Sequence, residues 1–366
     1  MKFIVPKDAL VLPLQHISRI ATSKVIPILS GVLITVEPER ILLVGGDSHN
    51  ILRYELSNDK FNYIKSGSIV LPIAKLHEII KKMDGETIEV DLIDHTIVNI
   101  ISGNSKFRLI GMDASEYPEV RMEHSGKGFT MKGAILKDLI QQTIYAVSTR
   151  EETPLLTGVH MRMNDDFICF TACDRHRVAR ITEQLPTDIS ENRIISGKTL
   201  VEIRNMVKDE LPVRIDFLEH RVVFNQGTFT YAVTPLEGRY PDIERMISME
   251  PNTKAIVSTK DLLRALERSM IISDNGNGFI TTMQIRNGYI NIYCQSENGN
   301  LDENITLESL NGNDFEFNYN VKYAIDALKT IRTEYTAIYY SLNQKMIIFK
   351  PHEQENSLHL IMGAMK

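Results

Sequence analysis

Apolar and polar residues alternate with a period of two through Ile88-Glu89-Val90-Asp91-Leu92, Val213-Arg214-Ile215-Asp216-Phe217 and Ala337-Ile338-Tyr339-Tyr340, and again in Met1-Lys2-Phe3-Ile4-Val5-Pro6. That period sends successive side chains to opposite faces and marks half-buried strands. Elsewhere the apolar positions recur three and four residues apart, which predicts helices over 7–20, 72–83, 133–146, 197–208, 259–272 and 321–332. Asp84-Gly85 and Asn287-Gly288 mark turns. The order of strand, helix and several strands, repeated along the chain, is an α+β pattern with antiparallel sheets and helices on one face.

The pattern is also repeated as sequence. Pro154-Leu155-Leu156-Thr157-Gly158 answers Pro27-Ile28-Leu29-Ser30-Gly31 at an offset of 127 residues, and Asp174 answers Asp47 at the same offset. Leu71-Pro72-Ile73-Ala74-Lys75-Leu76 is matched by Ile195-Ser196-Gly197-Lys198-Thr199-Leu200, and Glu116-Tyr117-Pro118-Glu119-Val120 by Arg239-Tyr240-Pro241-Asp242-Ile243. A fainter third copy begins at Ser258-Thr259-Lys260-Asp261-Leu262-Leu263 and lacks the Pro and Asp landmarks. Three units of about 120 residues follow, long enough for each to hold a core of its own.

Composition adds little: 43% hydrophobic, 24% charged and no Trp, as in a globular protein. No run reaches the 18 or so apolar residues of a membrane span, and the N-terminus lacks the apolar centre of a signal peptide, so a cytoplasmic protein is expected. Cys169, Cys173 and Cys294 form no even set and read as reduced thiols, the first two on the core face of one strand. The charge distribution says more. Formal net charge is −6, yet the six predicted helices hold 15 Lys or Arg against 7 Asp or Glu. Helices near +8 in a chain otherwise near −14 point to one electropositive surface suited to a phosphate backbone, read without sequence preference. The cations assigned to that surface are Lys75, Lys81, Lys82, Lys137, Lys198, Arg204, Lys208, Arg264, Arg268, Lys322, Lys329 and Arg332.

Candidate chemistry is thin. Gly197-Lys198-Thr199 resembles the end of a phosphate-binding loop, but the glycine required five positions earlier is Asn192. Cys173 and His176 lie three apart, on opposite faces of a strand unless a sharp turn intervenes, and Asp174 with His176 is two ligands short of a metal site. No catalytic residue, cofactor or metal is expected.

In order and spacing, Ile26-Pro27-Ile28-Leu29-Ser30-Gly31, Ala146-Val147-Ser148-Thr149 with Pro154-Leu155-Leu156-Thr157-Gly158, Thr171-Ala172-Cys173-Asp174-Arg175-His176-Arg177-Val178-Ala179, and Gly238-Arg239-Tyr240-Pro241-Asp242 resemble the β subunit of bacterial DNA polymerase III, the sliding-clamp family. The resemblance covers the whole chain. It implies three DNA-clamp domains, at 1–123, 124–250 and 251–366, and a head-to-tail homodimer that closes a six-domain ring with helices inside and sheets outside. Such a ring is a non-catalytic processivity factor: it encircles duplex DNA and tethers the polymerase III α subunit, clamp-loader subunits and repair or translesion polymerases. Its place is the cytoplasm, at the nucleoid. The resemblance adds Lys24 and Arg150 to the DNA contacts. It puts Phe107 and Leu109 against Ile271 and Ile272 at the dimer seam, with Lys75 and Lys106 facing Glu297, Asp302 and Glu303. It also implies a pocket for partner peptides between domains two and three, formed by Leu156, Cys173, Arg175, His176, Arg177, Val178, Pro241, Arg245, Met246, Met346, Leu360 and Met362.

Two departures stand out. Arg175 occupies a position where the family commonly has glycine, and Gly363 one where it commonly has proline, with the basic residue displaced to Lys366. They imply a divergent or second clamp with altered peptide preference. Two other functions remain open at this level: a hydrolase using Asp174 and His176, and a DNA-binding protein with an open basic groove.

Overall fold

The structure, a computed structural model, describes residues 1–23, 25–118, 122, 127–164, 166–248, 250–273 and 279–364. It divides into two compact units, residues 1–136 with 202–235 and residues 137–201 with 236–366. The middle third of the chain is shared between them, because its strands complete the sheets of its neighbours.

In the first unit a five-stranded antiparallel sheet runs in the order Asn62–Lys65, Lys2–Pro6, Thr87–Asp94, Ile97–Ser102, Ser105–Ile110. An eight-stranded sheet runs Gly128–Lys132, Pro212–Phe217, Val222–Gln226, Phe229–Val233, Asn50–Ser57, Arg40–Gly46, Gly31–Val36, Gly67–Pro72. Its central joint pairs Phe229 with Tyr54 and Val233 with Asn50. Helix α1 (Lys7–Ile20) buries Leu10, Leu14, Ile17 and Ile20 on one stripe and packs on helix α2 (Ile73–Lys82) and on strands of both sheets. The unit boundaries fall inside α3 (Gly133–Gln141) and α4 (Gly197–Met206).

In the second unit a nine-stranded sheet runs Glu191–Ser196, Gly158–Asn164, Phe167–Cys173, Arg177–Gln184, Ser357–Met362, Met346–Pro351, Tyr335–Ser341, Thr253–Ser258, Ser309–Gly312. Here the joint pairs Arg177 with Ile361 and Ile181 with Ser357. A four-stranded sheet runs Gly299–Thr306, Tyr289–Ser296, Ile280–Arg286, Phe315–Asn320. After the short α5 (Glu244–Ile247) come α6 (Thr259–Ser273) and α7 (Val321–Leu328). Leu262, Ala265 and Leu266 of α6 and Val321, Ala324 and Leu328 of α7 share one core with Met283, Ile292, Phe317 and Phe349.

All six sequence-predicted helices form. Two stop early: the helix expected over 133–146 ends at Gln141 and gives way to a 3-10 turn at Ile144–Ala146, and the one expected over 321–332 ends at Leu328. In both places a threonine competes for the terminal carbonyls. Thr143 Oγ1 donates to the Leu139 carbonyl at 2.8 Å, and Thr330 Oγ1 to that of Ala327 at 2.7 Å.

The sequence repeat is a repeat of turn chemistry. Pro27 and Pro154 each open a 3-10 turn at a position that has no N–H to satisfy. Ser30 Oγ donates to the Pro27 carbonyl and Thr157 Oγ1 to that of Pro154, both at 2.6 Å. Gly31 and Gly158 follow because a Cβ there would stand 2.4 Å from Val70 Cγ1 and 2.7 Å from Ile194 Cγ2. Asp47 Oδ1 accepts from the N–H groups of His49 and Asn50 at 2.8 and 2.7 Å; Asp174 Oδ1 accepts from those of His176 and Arg177, both at 3.0 Å.

His359 is wholly buried in the second unit, 2.7 Å from Tyr145 Oη through Nδ1 and 3.2 Å from Thr330 Oγ1 through Nε2. Since the Thr330 hydroxyl proton is engaged by Ala327, Nε2 carries the imidazole proton and Nδ1 accepts from the tyrosine. Burial pushes the imidazole pKa down to about 3.

Two outcomes follow. Gly31→Ala should cost about 1–3 kcal/mol in denaturant unfolding, since Val70 must move; an unchanged midpoint would show that the strand yields. For His359 the folded pKa lies below the unfolded value, so its contribution is intact above about pH 6.5 and is lost as pH falls toward 3, by about 1.4 kcal/mol per pH unit. His359→Gln should flatten that acid limb in a stability–pH profile, and an identical slope in the variant would refute the assignment.

Candidate functional site

In the second unit the turn at 153–156, the end of strand Phe167–Cys173, the loop to strand Arg177–Gln184 and the segment 239–246 enclose a cleft of about 500 Å³. Its walls are Thr153, Pro154, Leu155, Leu156, Cys173, Arg175, Arg177, Val178, Arg239, Pro241, Ile243 and Met246. Seven of the twelve residues expected at the pocket are among these: Leu156, Cys173, Arg175, Arg177, Val178, Pro241 and Met246. Met346 and Leu360 are buried in the apolar cluster behind the cleft, and Met362 packs half-buried against that cluster. His176 stacks on Tyr323 at 6.3 Å, and Arg245 is exposed on α5; neither lines the cleft. Thr153, Pro154, Leu155, Arg239 and Ile243 complete the walls and were not expected there. All but Thr153 belong to the repeated Pro-Leu-Leu-Thr-Gly and Arg-Tyr-Pro-Asp-Ile segments, which was the signal available to find them.

The cleft is held by a polar frame. The Cys173 N–H donates to Tyr240 Oη at 3.0 Å, and His160 stacks on Tyr240 at 5.0 Å between ring centroids. Burial pushes both the Cys173 thiol and the Tyr240 phenol up, so neither ionises near neutrality. Arg177 is no free rim cation. It bonds Asp174 at 2.9 Å and Asp326 at 2.7 Å, and its guanidinium lies 4.4 Å from the Tyr323 ring centroid and 5.3 Å from that of Tyr145. The sharp turn that a Cys173–His176 pair would need is present, centred on Arg175 at φ +77°. Yet the imidazole stacks on Tyr323 and the thiol lies under Tyr240, so the two residues do not form a nucleophile and base. Among the described residues no cluster of three or more His, Cys, Asp and Glu could hold a metal ion, and no helix is long and apolar enough to cross a membrane.

The basic residues of the helices divide into two groups. Lys75, Lys81, Lys82, Lys198, Lys208, Arg264 and Lys322, with Arg150 in its loop, are exposed. Others are engaged within the protein: Arg268 forks onto Glu303 with one bond at 2.9 Å, Lys329 meets Glu267 at 3.2 Å and Arg332 meets Asp138 at 2.6 Å. Lys137 and Arg204 are half-buried with protein partners of their own. Lys24 lies outside the described residues.

Of the residues expected at the seam, Phe107 is 41% exposed on strand Ser105–Ile110, the last strand of its sheet. Leu109 is only 9% exposed and belongs to the core, whereas Ile110, not expected there, is 75% exposed. Ile271 is 77% exposed near the end of α6 and Ile272 is half-buried beside it. Lys106, Glu297 and Asp302 are exposed. Glu303 already holds Arg268. Strand Gly299–Thr306, which carries Asp302 and Glu303, is likewise the last strand of its sheet.

Comparison with known proteins fits this arrangement. The family models for the N-terminal, central and C-terminal domains of the DNA polymerase III beta subunit match residues 1–121, 130–242 and 244–365. The chain is 32% identical to the beta sliding clamp of Halalkalibacterium halodurans over 98% of both chains, and 30% identical to that of Bacillus subtilis over 99% of both. The crystal structure of the DNA polymerase sliding clamp from Bacillus subtilis superposes with a TM-score of 0.96 at 28% identity, covering 100% of this chain and 99% of that one. With three domain models in register along its length and relatives matched end to end, the chain belongs to the DNA polymerase III beta subunit family.

Proposed function

We propose that two copies of this chain close head to tail into a ring around duplex DNA, slide on it without sequence preference, and hold DNA polymerases and the clamp loader through the cleft at Leu156, Pro241 and Met246. The observation that carries this reading, beside the family, is a pair of sheet edges that bear exposed apolar and oppositely charged residues, Ser105–Ile110 and Gly299–Thr306. Within the chain, strands from neighbouring thirds join into sheets of eight and nine strands. Left over are the five-stranded sheet, ending at Ser105–Ile110, and the four-stranded sheet, ending at Gly299–Thr306. Pairing the first edge with the second edge of another copy makes a third sheet, of nine strands. A long unpaired edge is otherwise a liability, and a head-to-tail contact that closes after two copies leaves neither of these two exposed. Phe107, Ile110 and Ile271 supply apolar area at the joint, and Lys106 faces a strand bearing Asp302 and Glu303.

On the helices, the exposed Lys75, Lys81, Lys82, Lys198, Lys208, Arg264 and Lys322 meet phosphates. Internal pairing of Arg268, Lys329 and Arg332 keeps that contact loose, which suits sliding: few strong contacts at any one register, and none to base edges. Tethering through the cleft turns polymerase rebinding into an intramolecular event at high effective concentration.

The decisive measurement is retention on nicked circular DNA after loading with a clamp loader and ATP. Retention should survive moderate salt on the circle and disappear when the circle is cut. Equal retention on both forms would replace the ring by an open-groove binder. For the joint, Ile110→Asp should leave the fold intact, since the side chain is exposed, yet weaken dimerisation about tenfold or more in sedimentation velocity. A dimer of unchanged affinity would put the seam elsewhere.

A further inference from the structure

The cleft carries cationic groups that its own carboxylates do not neutralise. Arg177 is matched by Asp174 and Asp326, but the guanidinium groups of Arg175 and Arg239, on the same walls, have no hydrogen-bond or ion-pair partner among the described residues. The neighbouring carboxylates in sequence, Glu237 and Asp242, are exposed and stand outside the lining. Arg175 is also held at φ +77°, in the left-handed region that a non-glycine residue enters only at a cost. The turn itself does not require it: in the first repeat Asp47 makes the same pair of bonds to His49 and Asn50 without positive φ at Ser48. A strained, unpaired arginine at the mouth of an apolar cleft is an arrangement for a ligand rather than for the fold.

We propose that Arg175, with Arg239, makes this cleft selective for peptides that carry an acidic side chain beside their apolar anchor. This rests on the reading of the cleft as the peptide pocket. The apolar walls, with Leu156, Pro241 and Met246, take the aliphatic or aromatic anchor. The guanidinium fork takes the neighbouring carboxylate, with both bonds strengthened by the low-dielectric walls beneath. The apolar floor argues for a peptide over a nucleic acid, whose phosphates would gain nothing from it. Because Arg175 is exposed, the selectivity is set at the rim and salt will screen it.

The test is fluorescence anisotropy on the full-length protein with three labelled peptides that share a Leu-Phe anchor and differ in flanks: Asp-Glu, Asn-Gln or Lys-Lys, each ending in an amide so that no terminal carboxylate contributes. The acidic peptide should bind about tenfold tighter than the neutral one at low salt, with the gap closing as salt rises. Arg175→Gly should bring the acidic peptide down to the neutral one, leave the neutral peptide unchanged, and raise thermal stability by relieving the backbone; Arg175→Glu should prefer the Lys-Lys peptide. Equal binding of acidic and neutral peptides by the unmodified protein, or an equal loss of both in Arg175→Gly, would overturn the selectivity while leaving the pocket standing. Displacement of the acidic peptide by a short single-stranded oligonucleotide as effectively as by unlabelled peptide would reassign the arginines to phosphate. Failure of all three peptides to bind would remove the pocket reading and the selectivity with it.

Discussion

Antiparallel backbone pairing between strands far apart in sequence is the constraint on which the rest of this structure depends. The eight- and nine-stranded sheets each take strands from two thirds of the chain. Asn50–Ser57 finds its partner in Phe229–Val233, and Arg177–Gln184 finds its partner in Ser357–Met362. A buried N–H or C=O left without a partner costs on the order of 1–3 kcal/mol, so once a third is cut to expose such an edge it must recruit another segment. That requirement explains why the compact units cut across the repeat, and why the middle third belongs to both. Among the edges it leaves are Ser105–Ile110 and Gly299–Thr306, the last strands of the five- and four-stranded sheets, which pair on one side only among the described residues.

The cleft depends on the same joint. Cys173 and Arg177 flank the turn into the strand that pairs with Ser357–Met362, and Met346 and Leu360, on the far side of that joint, form the apolar backing. Arg177 ties both sides together through Asp174 and Asp326. Losing one partner of a half-buried pair of this kind leaves an uncompensated charge, so Arg177 is part of the frame that holds the walls of the cleft. Arg175, two residues earlier, has the opposite character: exposed, unpaired and strained. A frame residue and a rim residue of the same type sit side by side, and their surroundings decide their roles.

Much of this was legible in the sequence, for local reasons. Helix positions followed from apolar spacing, and the repeated Pro, Gly and Asp landmarks proved to be a repeated turn with the same hydrogen bonds in both copies. What stayed hidden was long-range. Periodicity places Phe107 and Leu109 on one face of a strand, but it cannot say that Leu109 is core and that Ile110, on the other face, is bare. Charge counting groups Arg268, Lys329 and Arg332 with the free cations of the helices, but it cannot see Glu303, Glu267 and Asp138 standing opposite them. Early helix ends at Thr143 and Thr330 are again a competition between hydroxyl and backbone that apolar spacing does not record.

The internal pairing of those cations bears on how such a protein can hold DNA and still move along it. Each free Lys or Arg that binds a phosphate releases a counterion, and affinity climbs steeply with their number. A wall with all 15 helix cations unpaired would grip the duplex at every register and resist translation. Pairing some of them with carboxylates keeps the field positive while lowering the number of contacts that must break with each step. Retention then has to come from encirclement of the duplex rather than from phosphate contacts, which salt screens.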